Sequence, residues 1–247
     1  MTKHDAIFAD ELKAIADFDF GEKTAEVFDD MLDRSIPQYW ELQRMIGELA
    51  AEFAVDGSTI YDLGCSTGIT VKTLGDAVAA AGKKVSLLGI DYSEPMLERA
   101  RKRFEEVATA ARPVFLNGDL NLPCQVEGAS VVVLNLTLQF VRPMNRDRLI
   151  RDIARGLGSS GCLILVEKVV SEEAQLNRTF IKLYYEMKRR NGYSDTEIAQ
   201  KRESLENVLI PYRIQENVDL LKRNGFDEAD TFFKWYNFAG LVALKKG

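Results

Sequence analysis

Apolar residues along this chain fall into two kinds of run that take turns. Short, nearly unbroken apolar runs recur near 58–64, 85–91, 112–117, 130–136 and 161–167. Between them stand stretches of mixed polarity, near 68–81, 94–108 and 146–157, with apolar residues three or four apart. The first kind suits strands and the second amphipathic helices. Val131-Val132-Val133-Leu134 and Leu163-Ile164-Leu165-Val166 have no polar face, so helices must cover both sides of those strands, as in a parallel sheet. Strict alternation of strand and helix predicts an α/β, doubly wound, mostly parallel sheet. Ahead of the first strand, Val27, Met31, Leu42, Met45, Ile46 and Leu49 keep helical spacing, broken at Ser35-Ile36-Pro37, which predicts two N-terminal helices. Residues 1–20 are polar and acidic with scattered Phe, and read as a loosely held arm with a short helix. Near the other end, the apolar stretches 231–238 and 241–244 are separated only by Ala239-Gly240. That is too short for a crossover helix, so it predicts a C-terminal antiparallel hairpin and a sheet of seven strands in all.

Between the fifth strand and the last helix lies a polar insertion, about 171–213. Leu176, Phe180, Leu183, Tyr184 and Met187 sit at helical spacing, and Asn191-Gly192 ends that helix. Ser194 with Glu197 three residues on forms a capping-box signature for a second helix through Lys201-Arg202. The expected organisation is one domain, 1–247, with a helical arm or cap over 1–55 and a helical lid or interface over 171–213.

Composition narrows the chemistry. A formal net charge of -6 over 247 residues disfavours an extended phosphate-binding surface, because nucleic-acid affinity depends on Lys and Arg displacing counterions, so no direct nucleic-acid partner is expected. Cys65, Cys124 and Cys162 lack C-x-x-C spacing, and the single histidine, His4, lies in the arm. Neither a disulfide framework nor a metal site is expected. No apolar segment reaches membrane-spanning length or resembles a signal peptide, which makes the cytoplasm the default location.

The candidate chemistry begins at Tyr61-Asp62-Leu63-Gly64-Cys65-Ser66-Thr67-Gly68, followed one strand later by Leu88-Gly89-Ile90-Asp91. A strand running into glycines, with a carboxylate at the end of the next strand, lets backbone wrap a nucleoside while the acid accepts its ribose hydroxyls. Either half alone also occurs in ligand-free turns; the combination is the signal. A dinucleotide needs G-x-G-x-x-G to approach a pyrophosphate, and this loop is D-x-G-x-x-x-G. Asp62 would repel a pyrophosphate and attract a cation, which favours S-adenosylmethionine (SAM). Ligands in such sheets sit at the carboxyl ends of the strands. Gly64, Cys65 and Ser66 are therefore placed at the amino-acid part of SAM, Asp91 at the ribose, and Tyr92 or Met96 near the adenine. Asp119 and Leu120 follow the third strand, where a carboxylate and a backbone N–H can read the adenine; Asp119 also reads as a turn residue after Asn117-Gly118. In the loop after the fourth strand, Asn135-Leu136-Thr137-Leu138-Gln139-Phe140, there is no Asp- or Asn-Pro-Pro-aromatic turn, which argues against base N-methylation, and no His or acidic base. Asn135 reads either as a contact to the methionine end of SAM or as a strand-end cap.

A parallel α/β sheet closed by a C-terminal hairpin resembles the class I SAM-dependent methyltransferase fold, which is Rossmann-like. A narrower resemblance rests on five stretches: Arg34-Ser35-Ile36-Pro37-x-Tyr39, Asn135-x-Thr137-Leu138-Gln139-Phe140, Asn191-Gly192-Tyr193-Ser194-x-x-Glu197-Ile198-x-x-Lys201-Arg202, Leu205-Glu206-Asn207-Val208, and Asn237-Phe238-x-x-Leu241-Val242-Ala243-Leu244-Lys245. Together with Asp62-Leu63-Gly64-Cys65-Ser66 they resemble carboxy-S-adenosyl-L-methionine synthases across nearly the whole chain.

That resemblance implies a transferase that converts SAM and prephenate to carboxy-SAM and phenylpyruvate. The product is passed to an enzyme that carboxymethylates the wobble uridine of tRNA. It implies a homodimer, and it implies that Tyr39, Gly64, Cys65, Ser66, Asp91, Tyr92, Asp119, Leu120, Asn135 and Arg202 line the cofactor site. Arg202 has the distinctive catalytic role there, since a guanidinium can hold both oxygens of the carboxylate added to the sulfonium methyl. Leu183-Tyr184-Tyr185-Glu186 departs from relatives that carry histidine in that helix. The cation for prephenate's second carboxylate stays open among Arg34, Arg189 and Arg190. Two other readings share the cofactor half: a SAM-dependent methyltransferase acting on a small acid, and a catalytically silent adapter.

Overall fold

In the computed structural model, which describes residues 3–12, 14–105 and 112–245, the unbroken apolar runs become the middle of one mixed sheet. Its strands are β1 (Thr59–Leu63), β2 (Ser86–Asp91), β3 (Val114–Asn117), β4 (Ala129–Asn135), β5 (Leu157–Val170), β6 (Tyr212–Arg213), β7 (Glu228–Trp235) and β8 (Phe238–Leu244). The order is β3-β2-β1-β4-β5-β8-β7, with β6 paired beside the end of β5. All pairings are parallel except those of β8, which runs antiparallel to both β5 and β7.

Period-two alternation divides each central strand between two cores. Val131, Val133, Ile164 and Val166 pack with Leu42 and Ile46 of α2 (Tyr39–Phe53) and Leu74 of α3 (Ile69–Ala80). Val132, Leu134, Leu163 and Leu165 face the other way. They meet Leu149, Ile150 and Ile153 of α5 (Pro143–Gly156) and Leu220 and Leu221 of α8 (Ile214–Arg223). The remaining helices are α1 (Glu22–Ser35), α4 (Glu94–Glu105), α6 (Ala174–Arg190) and α7 (Asp195–Leu205). The chain moves outward from β1 through β2 to β3, then returns to add β4 on β1's other side. That reversal opens a crevice at the carboxyl ends of β1 and β4.

The helix expected over 94–108 runs through Glu105, and 106–108 lie outside the described residues. The hairpin turn falls at Tyr236-Asn237, not at Ala239-Gly240. Tyr236 takes the left-handed conformation that the turn requires (φ 36°), while Gly240 is a strand residue. A Cβ on Gly240 would lie 2.5 Å from the Phe232 ring, so that glycine makes room for a cross-strand aromatic. β5 extends beyond the expected 161–167 at both ends, and the short β6 was not expected.

The arm also differs from expectation. No helix forms among its described residues, and it is not loosely held. Asp5 is buried: its N–H donates to Asp30 at 2.7 Å, and the Tyr193 hydroxyl donates to its carboxylate at 2.7 Å. Leu12 N–H donates to the Gln200 side chain at 2.7 Å, whose amide returns bonds to Phe8 and Asp10 carbonyls, and Phe18 N–H donates to Ser204 O at 2.8 Å. The arm's free backbone groups are thus satisfied by α7. Ser194 and Glu197 form the expected capping box that starts that helix. Among the described residues no helix is long and apolar enough to cross a membrane.

Candidate active site

One cavity occupies the crevice, and the β1–α3 turn forms its floor. Gly64 sits at φ +81°, and a Cβ there would come within 2.4 Å of the Thr137 side chain. Only glycine lets this turn and the loop after β4 approach so closely. Gly64 and Cys65 N–H groups both donate to Ile90 O, at 2.7 and 3.0 Å, tying the turn to the end of β2. Ser66 (φ 47°) donates its N–H to Asp91 at 2.9 Å. The next residue, Thr67, donates its hydroxyl to Asp29 at 2.6 Å. Arg103 bonds both Asp29, at 2.5 Å, and the Thr67 carbonyl, at 2.8 Å, locking the turn to α1 and α4.

Asp91 is buried on the cavity wall and accepts Ser66 N–H and Ser93 N–H, both at 2.9 Å. Burial raises its pKa, and those backbone donors oppose the rise. Two backbone bonds leave lone pairs for two more donors, as a ribose diol provides. Tyr92, Asp119 and Leu120 line the same cavity. Asp119 also serves the turn, accepting the backbone and side-chain N–H groups of Asn121 through one oxygen at 2.8 and 3.0 Å. Met96 is fully buried against α1, away from this wall. Its place is taken by Phe20, set edge-on to Tyr92 and Phe140 at ring-centroid distances of 6.1 and 5.1 Å. The arm's scattered Phe residues were the available signal for that wall.

Beneath the cradle sit buried acceptors with no donor among the described residues. Both oxygens of Asp62, the carbonyl oxygen of Asn135 and that of Gln43 have none. Asn135 and Gln43 each donate their amide to Thr70 Oγ1 at 3.1 Å, which aligns the two carbonyl oxygens in one network. Tyr39, buried at the start of α2, lines the same wall, and burial raises its pKa. Acceptors buried without donors are expensive, and a cationic ligand with N–H groups relieves them.

The loop after β4 is held from below. Leu136 adopts φ 60°, fixed by its N–H bond to Val166 O at 2.7 Å. Leu138 N–H donates to the buried carboxylate of Glu167 at 3.0 Å. The Gln139 side chain accepts Lys168 N–H at 2.9 Å and donates to Leu136 O at 3.3 Å.

Arg202 is exposed on α7 and does not reach the cavity of its own chain; its neighbour Lys201 does. Nor do the three candidate arginines. Arg34 is held by Asn191 O, Asp5 O, Asp30 and the Tyr193 ring, Arg189 pairs with Asp195 at 2.7 Å, and Arg190 is exposed. The cations on the wall are Lys168 and Lys201. No His, Cys, Asp or Glu cluster suited to a metal ion occurs among the described residues.

A family model described as a methyltransferase domain matches residues 60–161. The chain is 51% identical to the carboxy-S-adenosyl-L-methionine synthase of Methylococcus capsulatus over 98% of this chain and 99% of that protein. It is 43% identical to the synthase of the same name from Desulfotalea psychrophila, covering 98% of each. The chain belongs to the carboxy-S-adenosyl-L-methionine synthase family. Its fold extends further: a SAM-dependent methyltransferase structure from Methanosarcina mazei superposes with a TM-score of 0.56 at 18% identity, covering 80% of this chain and 97% of that one.

A carboxy-SAM synthase takes SAM as its substrate, and the donor set fits. Asn135 on the wall, with Asp62 and Gln43 behind it, presents buried acceptors that lack donors, and Asp91 presents a buried carboxylate with spare lone pairs, a set that suits a cationic ligand carrying a diol. In the free enzyme burial pushes the pKa of Asp62 up to about 8, with the charge of Asp91 adding to the rise. A cationic ligand holds the ionised carboxylate better, so below that value binding must expel a proton. SAM affinity should therefore climb as pH is raised from about 6 towards 8, by up to about tenfold per unit, before the ligand's own amino group starts to lose its proton. Asp62→Asn should flatten the profile. Calorimetric titration across pH checks this, and a flat wild-type curve would contradict it.

Proposed function

We propose that this synthase draws its carboxyl group from prephenate, making carboxy-SAM and phenylpyruvate. The observation that carries the reading is that the same chamber that holds the cradle is also walled by the apolar side chains of Ile36, Leu136, Tyr184, Leu205, Leu209 and Phe238. Walls of this kind exclude water, which would otherwise quench a carbanion and let carbon dioxide escape. Prephenate loses its ring carboxyl as carbon dioxide and its ring hydroxyl as hydroxide, becoming aromatic. The SAM methyl gives its proton to the departing hydroxide, forming water, and the resulting carbon takes up the carbon dioxide. No side-chain base is needed, in keeping with walls that carry no histidine.

Arg202 serves this chemistry from a neighbouring subunit. Its guanidinium is exposed on α7 next to Lys201, so a homodimer that brings α7 of one protomer over the other's cavity supplies the cation for the new carboxylate. Arg202→Leu should abolish carboxy-SAM formation while leaving SAM affinity within about threefold, and it should be complemented in mixed dimers by a subunit with a damaged cradle. Unchanged turnover in Arg202→Leu would remove it from the reaction. We take the product onward to a partner enzyme that carboxymethylates tRNA wobble uridine, with no tRNA contact by this acidic chain. Three unpaired thiols suit a cytoplasmic setting. Mass spectrometry after incubation with SAM and prephenate separates the readings. A nucleoside heavier by one carbon dioxide supports the synthase reading, and S-adenosylhomocysteine with a methylated acid supports a methyltransferase.

A further inference from the structure

We propose that Lys168 and Lys201 form a carboxylate subsite on the cavity wall, and that it holds the acid co-substrate against the SAM methyl. The inference rests on prephenate being that acid, and deepens the proposal by assigning its anchor.

Lys168 follows Glu167 on β5, so the two side chains take opposite faces. Glu167 props the loop after β4, and Lys168 turns to the chamber. Its ammonium has no hydrogen bond or ion pair among the described residues and lies 5.1 Å from the centre of the Tyr184 ring. It is only half-buried by area because the cavity reaches it, yet the surrounding protein desolvates it enough to push its pKa down to about 8. Lys201, buried, reaches Ser35 Oγ at 3.4 Å and Asp5 at 3.9 Å. Lys188, also buried, stands behind them over the Tyr193 and Tyr184 rings at 4.8 and 5.9 Å.

Lys201 and Lys188 thus share the fields of Asp5 and Glu197, and Asp5 already accepts the Tyr193 hydroxyl at 2.7 Å; Lys168 and Arg34 add further positive charge to the same group. Buried positive charge in such excess is costly in the empty protein and is relieved when an anion enters. Stacking on Tyr184 and Tyr193 alone does not explain why Lys168 stands on the cavity wall. The opposite end of the cavity carries Asp91, with Asp62 beneath it. A cation is drawn to one end and an anion to the other, which sets the sulfonium methyl and a carboxylate side by side. The same ammonium chemistry also suits the α-carboxylate of SAM, and the test separates the two sources.

Binding is read by calorimetry, with S-adenosylhomocysteine in place of SAM to prevent turnover during the prephenate titrations. Lys168→Met should keep SAM affinity within about threefold and weaken prephenate binding about 10- to 100-fold, with Lys168→Arg restoring most of it. Lys201→Met, as a second variant, should act in the same direction. Lys168 faces Lys188, Lys201 and Tyr184, and Asp5, Glu197 and Arg34 act on the other two lysines; the ammonium groups lose charge as pH rises. Wild-type affinity for prephenate should therefore fall above about pH 8 and fall less in Lys168→Arg. Ligand-free Lys168→Met should melt higher than wild type, since an unpaired buried charge is gone; a residue kept for ring stacking would melt lower. Unchanged prephenate affinity in both Met variants overturns the subsite, as does loss of SAM affinity alone, which assigns the lysines to the α-carboxylate. If the wild type binds no prephenate, the prephenate reading fails and malonate becomes the probe. Lys168-dependent malonate binding then upholds the subsite, and no carboxylate binding overturns it.

Discussion

Asp91→Ala should lower SAM affinity at least about 100-fold while the protein stays folded. The carboxylate holds the turn through Ser66 N–H and the start of α4 through Ser93 N–H, and its remaining lone pairs are free for the ribose hydroxyls of the proposed ligand. Two hydrogen bonds from a ligand to a charged acceptor contribute about 1.5–3 kcal/mol each, and every 1.4 kcal/mol is about tenfold in affinity. The loss in folding stability should be smaller, because removing a carboxylate whose burial raises its pKa offsets part of the cost of the orphaned N–H groups. Calorimetry beside a thermal melt separates the two effects. Asp91→Asn, which keeps one acceptor oxygen, should fall between. Wild-type affinity in Asp91→Ala would show that the nucleoside sits elsewhere.

The second large effect is on stability. Arg146 is fully buried in α5 and does not line the cavity. Its guanidinium donates to Val141 O at 2.9 Å, Gln139 O at 3.3 Å and Ile210 O at 2.7 Å, and covers the Tyr212 ring at 4.2 Å. It thereby joins the loop after β4 to the end of the α6–α7 insertion. Arg146→Met should strand the Val141 and Ile210 carbonyls at about 1–3 kcal/mol each, Gln139 O keeping the Ile210 N–H, for a total loss of about 2–5 kcal/mol. A domain of this size has only about 5–15 kcal/mol to lose. Urea denaturation should show the midpoint falling sharply with little change in slope, and residual folded enzyme should turn over slowly because the Asn135–Phe140 loop is loosened. A midpoint within experimental scatter of wild type would mean that the loop does not depend on this guanidinium.

The fold could be read from the sequence because burial is written in period. Val131-Val132-Val133-Leu134 has no polar face, and between amphipathic helical stretches that pattern points to a strand covered on both sides. The cradle was legible for a similar reason: Gly64 and Asp91 act through local backbone geometry that their own neighbours announce. What escaped depends on distant pairings. Gly240 looks like a turn residue until the Phe232 ring across the hairpin is seen to need its missing Cβ. The polar first 20 residues look unanchored until Gln200 and Ser204 supply their partners. Lys168 falls just past the expected strand as the second of a Glu167-Lys168 pair, and only the strand register and the placement of α6 and α7 make it a cavity wall. Arginines attracted attention through their suitability for carboxylates, whereas the structure commits Arg34 and Arg189 to protein partners and leaves the ammonium of Lys168 facing the cavity.

Isotope tracing tests the transfer of the carboxyl group most directly. Enzyme is given SAM and prephenate labelled at the ring carboxyl carbon, and the nucleoside products are weighed by mass spectrometry. Label should appear in carboxy-SAM, one for one with phenylpyruvate, even when unlabelled bicarbonate is abundant. A nucleoside product without label, or S-adenosylhomocysteine in its place, would contradict the transfer.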